Sequence, residues 1–114
     1  MIVNQIEFLI NNTNNKYIFY KVMYNGIKIG NLYLIKKEKD EDKIKLADII
    51  IFDEYRNLGI GRKLLENAIN FVSSIGIKQI YGVMVGDIDR LEKFYQSFGF
   101  EISGKNIKLN VINE

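Results

Sequence analysis

The chain has 114 residues, 47% hydrophobic and 26% charged, with a net charge of +2 and no Cys, His, Pro or Trp. These zeros exclude Cys/His zinc sites, disulfide frameworks, cysteine nucleophiles and any triad with a His base, and leave carboxylates, Lys, Tyr, Ser and backbone amides to carry chemistry. The balanced charge argues against a nucleic-acid or membrane-surface partner, and no apolar run approaches the ~20 residues that span a bilayer. Residues 1–10 lack a basic start and a small-residue cleavage site, so a cytoplasmic location is expected. The length fits a single domain over residues 1–114. Ile, Lys and Asn dominate the composition, so an isolated Lys or Asn carries little functional weight.

The first third reads as strands. Residues 5–10 are apolar and β-prone, 11–15 are a polar turn cluster, and 16–24 are aromatic and β-branched. Asn25-Gly26 is a strong hairpin signal because both residues tolerate positive φ, and 27–35 is the return strand. The mixed-charge run 36–43 reads as a solvated loop.

Residues 44–52 form a further strand, apolar enough for burial on both faces. A polar loop follows at 53–57, then Leu58-Gly59-Ile60-Gly61. Ile60, Leu64, Leu65, Ala68, Ile69 and Val72 recur at helical spacing, and Gly76 is a helix stop. A strand over 77–85 is next. Asp87 or Asp89 caps a second helix with Leu91, Phe94 and Phe98 along one face, ended by Gly99. Residues 100–102 and 107–111 complete a hairpin around Gly104. A helix between two strands demands a right-handed crossover, so the expected class is α/β (α+β), with a mixed sheet.

The richest stretch is Asp53-Glu54-Tyr55-Arg56-Asn57-Leu58-Gly59-Ile60-Gly61-Arg62, between a buried strand and a helix. The first turn of a helix leaves backbone N–H groups unpaired and carries about half a positive charge. Glycine lets an anion approach that backbone, and Arg56 and Arg62 are placed to add contacts at the rim. On this pattern alone two readings stand, an anion cradle or a simple turn into the helix.

Arg56-x-x-Gly59-x-Gly61, with its strand, loop and helix over residues 46–72, resembles motif A of the GNAT N-acetyltransferases. Downstream, Phe94-Tyr95-Gln96-Ser97-Phe98-Gly99-Phe100-Glu101 resembles the family's second signature, an aromatic-Tyr pair before Gly-Phe. The resemblance covers roughly residues 43–103. It implies a GNAT-like, mostly antiparallel sheet with a splayed parallel strand pair and two main helices.

The resemblance also implies acetyl-CoA as co-substrate, without a metal. Asn57, Leu58, Gly59, Ile60, Gly61 and Arg62 would cradle its pyrophosphate, with Arg56 beside them, and Ile49, Ile50 and Ile51 would pair with pantetheine through their backbone. Tyr95 resembles the tyrosine that protonates the departing thiolate; the other reading is a half-buried helix aromatic. Asp48 stands where many members carry an acidic residue, either as general base or as a structural carboxylate, with a water chain as the other base. Gly82 and Gly86 either admit the cofactor or mark a bulge and a strand end.

The implied activity is acetyl transfer to a primary amine by direct attack in a ternary complex. The alternative is a non-catalytic acyl-CoA-binding or protein-interaction module. Small amines and peptides both fit as acceptor. Three features depart from the family pattern. Asp53 stands where Pro is frequent, Asp87-Ile88-Asp89 replaces a CoA-contacting Asn, and residues 10–17 leave no room for the usual N-terminal helices. The reduced acceptor side is compatible with completion by a second copy in a homodimer.

Overall fold

The computed structural model describes residues 5–111. The strands are β1 (Ile6–Thr13), β2 (Tyr17–Tyr24), β3 (Ile27–Ile35), β4 (Lys43–Ile51), β5 (Gln79–Val83), β6 (Glu101–Ser103) and β7 (Asn106–Asn110). A 3-10 turn, Asp53–Tyr55, leads to helix α1 (Ile60–Ser74), and α2 (Ile88–Gln96) lies between β5 and β6. All seven strands form one sheet in the order β1-β2-β3-β4-β5-β7-β6, parallel only between β4 and β5. This is the mixed sheet with two helices that the crossover argument requires. No helix among the described residues is long and apolar enough to cross a membrane.

Local chemistry explains most boundaries. The first hairpin turn is tighter than a turn over 11–15. β1 runs to Thr13, and Asn14 and Asn15 turn the chain with φ of 53° and 58°. Asn tolerates that left-handed conformation, and the exposed edge of a sheet accepts the polar Asn11 and Asn12. Asn25 and Gly26, at φ of 50° and 75°, make the second hairpin turn. α1 ends in a Schellman motif, with Gly76 N–H on the Ser73 carbonyl and Ile77 N–H on the Val72 carbonyl. β5 stops at Val83, short of the expected 85, because Met84 N–H bonds the Lys105 carbonyl instead.

Both helices lie on one face of the sheet. They touch each other through Gly61 and Phe94 and through Arg62 and Ser97. Right-handed crossovers from β4 to β5 and from β5 to β6 step the same way along the sheet, which puts both helices on the same side. The core fills the space between. Ile18, Tyr20, Val22, Leu32, Leu34, Ile44 and Ile80 from the strands meet Ile60, Leu64, Leu65, Ala68 and Val72 from α1. The Tyr20 hydroxyl donates to Asn67 Oδ1 at 2.8 Å, and burial pushes its pKa up to about 12. The opposite face carries no helix among the described residues. There Phe19 and Tyr33 meet edge to face at 5.8 Å, with Lys28 over Phe19.

Two features depart from simple alternation. Tyr33 pairs with Asp48 while Leu34 pairs with Leu46, so Ala47 is an extra residue in β4. Such a bulge bends the strand and shifts its phase. Ile44 and Leu46 are buried before it; Ile49 and Ile51 are the half-buried positions after it. The other is the 36–43 run. Instead of a wholly solvated loop, it turns Asp40 inward to 1% exposure. The Tyr81 hydroxyl donates to Asp40 Oδ2 at 2.7 Å, the Lys37 N–H donates to the same oxygen at 3.2 Å, and Lys36 Nζ donates to the Asp40 carbonyl.

Candidate active site

β4 and β5 part midway. Their parallel pairing covers only Lys43–Leu46 against Gln79–Gly82. Beyond it, β4 follows β3 and Met84 follows the β6–β7 turn, so no backbone hydrogen bond joins residues 47–51 to β5 among the described residues. The bulge at Ala47 bends β4 where the strands separate. Gly82 marks the last close contact: a Cβ there would sit 2.9 Å from the Leu46 carbonyl oxygen. It permits strand-to-strand approach. At Gly86, φ is +110° and nothing lies near, so backbone conformation is what selects glycine.

The gap holds a small cavity of about 70 Å³, whose walls include Leu46, Asp48, Ile49, Met84, Leu91 and Tyr95. Asp48 reaches it from the helix-free face, where it pairs with Tyr33 and accepts a long 3.4 Å hydrogen bond from Asn31. Tyr95 reaches it from α2. The expected stripe of that helix, Leu91, Phe94 and Phe98, is only half-buried, whereas Tyr95 is 5% exposed. Its ring packs on Phe94 and Phe100 at 5.3 and 5.2 Å. Burial raises the Tyr95 pKa to about 12; the Asp48 charge adds to the rise and Arg90 opposes it. The phenol therefore keeps its proton at neutral pH and remains a donor.

At the mouth of the gap, Asn57 and Gly59 take left-handed φ of 63° and 78° and swing the chain into α1. Gly59 is the N-cap, and no side chain caps the helix. The first-turn amides keep their partial positive charge for an anion. α2 differs, since the Asp87 carboxylate accepts from Arg90 N–H and fills that role. Gly61 has ordinary φ, and a Cβ there would meet Ile51 and Phe94 at 3.5 and 3.8 Å, so it tightens the contact between β4, α1 and α2.

The structure brings Asp48, Ile49 and Tyr95 to one cavity, and Gly61, in the first turn of α1, lies against Ile51 at the end of β4. Ile51 packs at half-burial towards the helices, and Ile50, 41% exposed, lies on the helix-free face. The two arginines also have partners within the chain, and both side chains stay partly exposed. Arg56 Nε donates to the Ile51 carbonyl at 3.0 Å and pairs with Asp53 at 2.9 Å, tying the loop to the end of β4. Arg62 donates to Ser97 Oγ at 2.9 Å and stacks over Phe98 at 4.7 Å, tying α1 to the end of α2. Met84 and Leu46 line the cavity without any sequence signal beyond apolarity, and Gly30 passed unread, although a Cβ there would lie 2.5 Å from the Ile50 carbonyl oxygen.

A sequence model of the acetyltransferase (GNAT) domain matches residues 3–113. The chain belongs to the GNAT acetyltransferases. Solved GNAT structures share its fold. An acetyltransferase of the GNAT family from Staphylococcus aureus Mu50 superimposes with a TM-score of 0.75 at 22% identity, over 89% of this chain and 72% of that one. A GNAT family acetyltransferase from Elizabethkingia anophelis, with acetyl-CoA bound, gives 0.75 at 18% identity over 88% and 78%. The ribosomal-protein-S18-alanine N-acetyltransferase of Escherichia coli gives 0.74 at 19% identity over 88% and 72%. No curated protein matches the sequence.

Proposed function

We propose that this GNAT domain transfers an acetyl group from acetyl-CoA to a primary amine, on a small molecule or a peptide, by direct attack in a ternary complex. The observation that carries this reading is that Asp48 and Tyr95 line one cavity in the β4/β5 gap. The residues at the gap fit the donor. The uncapped, left-handed entry to α1 over Asn57–Arg62 suits a pyrophosphate, and the unladdered edge of Ile49–Ile51 suits an amide-bearing arm. Bound acetyl-CoA supplies the activated acyl group.

The side chains divide the proton work. Attack requires a neutral amine whose nitrogen lone pair forms the new C–N bond as the C–S bond breaks. Asp48 accepts the proton that the nitrogen releases, directly or through water. Tyr95, protonated because it is buried beside that carboxylate, donates to the departing sulfur and recovers its proton from solvent. Leu46, Met84 and Leu91 exclude bulk water from the reacting centre. Arg62 and Arg56 act as positioning residues, the first fastening the cradle to the helix of Tyr95 and the second holding the loop.

Calorimetry with acetyl-CoA followed by an amine panel tests the proposal. Binding with acetyl transfer is expected. Binding without transfer to any amine would favour the second reading, an acyl-CoA-binding module. The open face around Asp48, where no helix among the described residues walls an acceptor, is the observation on its side.

A further inference from the structure

The two edges of the sheet differ in kind. β6, at one end, has three residues, and its Glu101 is paired with Lys108 at 3.6 Å. Short, charged edge strands are a device by which sheets discourage edge-to-edge association. β1, at the other end, runs eight residues in unbroken register along β2. It has no Lys, no Pro and no bulge, and Glu7 is its single charge. Alternate residues of an antiparallel strand point N–H and C=O away from the partner strand. Among the described residues no backbone group bonds the outer edge of β1. Leu9 and Ile10, at its centre, are 48% and 44% exposed.

We propose that β1 is a homodimer interface, in which two copies pair this strand antiparallel about a two-fold axis perpendicular to the sheet at Leu9. The sequence is self-complementary in that register. Directly opposed residues of an antiparallel pair share a face, so both helix-bearing faces stay on one side. Leu9 meets Leu9 of the partner subunit on the helix-free face. Phe8 meets Ile10 of the partner subunit on the other face. Glu7 falls opposite Asn11 of the partner subunit, so no like charges are opposed. Each copy's remaining edge is the blunt β6, and the isologous contact closes at two. β1 is three strands from β4, which leaves both cavities open.

Sedimentation of the full chain tests this. At about 100 μM a species of twice 13.3 kDa is expected, dissociating on dilution. Leu9→Lys and Leu9→Glu each oppose like charges across the axis and should weaken the dimer about tenfold or more. Mixing the two variants should restore it. Leu9 is half exposed, so each variant keeps the far-ultraviolet circular dichroism and the acetyl-CoA affinity of the parent. A monomer at that concentration, a dimer that Leu9→Lys does not weaken, or variants that fail to reassociate when mixed would overturn the proposal.

Discussion

Asp48 and Tyr95 face one cavity from opposite sides of the same sheet, the carboxylate from a strand and the phenol from a helix. In the mechanism proposed above, one proton passes from the attacking nitrogen to Asp48 on one side, and a second passes from Tyr95 to the departing sulfur on the other. In the proposed mechanism neither residue can do the other's task, because Asp48 is an exposed carboxylate and Tyr95 a buried, protonated phenol.

Tyr95→Phe should lower kcat by about 10²-fold while acetyl-CoA affinity stays nearly unchanged. The alkaline limb of kcat in the parent should lie near pH 12, above the ordinary phenol value of 10, because the folded protein holds the proton more tightly. That limb should vanish in the Phe variant. Stopped-flow kinetics and calorimetry read the two quantities separately; equal losses in both would make Tyr95 a packing residue.

Asp48→Asn keeps a group of the same shape beside Asn31 and removes the base. A fall in kcat of about 10²-fold at neutral pH is expected, partly recovered at higher pH as more acceptor amine is neutral. An unchanged rate at every pH would assign proton removal to a water chain.

Gly59 sits at φ +78° with open space where a Cβ would be, so a substitution there strains the backbone without a clash. Gly59→Ala should cost about 1 kcal/mol of stability, whereas Gly61→Ala, at ordinary φ, should cost less. Gly59→Glu adds a carboxylate at the mouth of α1 and should abolish acetyl-CoA binding in calorimetry. Normal binding by that variant would dismiss the cradle.

Asp40 links stability to pH at both extremes. Burial alone would raise its pKa, but the Tyr81 hydroxyl, the Lys37 N–H and the charges of Lys43 and Lys37 bring it below the usual 3.8. A depressed folded value stabilises the native state above the unfolded pKa, and that contribution is lost as pH falls through the folded value. Tyr81 is pushed up to about 12, by burial first and then by Asp40. Its contribution is full below pH 10 and is lost as pH rises towards 12. Asp40→Ala leaves buried donors unpaired and should cost about 2 kcal/mol in urea denaturation at pH 7.

The elements were legible where the sequence carries a period or a breaker. The α1 stripe, Asn25-Gly26, Gly76 and Asp87 each state a local rule, and each is obeyed. What depends on contacts between distant segments was not legible. Asp40 looks like any charge in a Lys-rich run until Tyr81, 41 residues on, lies against it. Nothing near Arg62 in the sequence shows that Ser97, 35 residues on, accepts its hydrogen bond and ties α1 to α2. Gly30 has no turn to mark it, since its demand for hydrogen comes from the Ile50 carbonyl on the next strand. Gly30→Ala should cost about 3 kcal/mol by overpacking.

The extra residue in β4 has a consequence for how the site could change. The strand keeps core positions on even numbers up to Leu46 and on odd numbers from Ile49. A frame of one residue decides which side of the partition receives the carboxylate. A single insertion or deletion between them would exchange reaction surface for core with composition almost untouched, so at this point the strand's length constrains the chemistry more tightly than its residue types do.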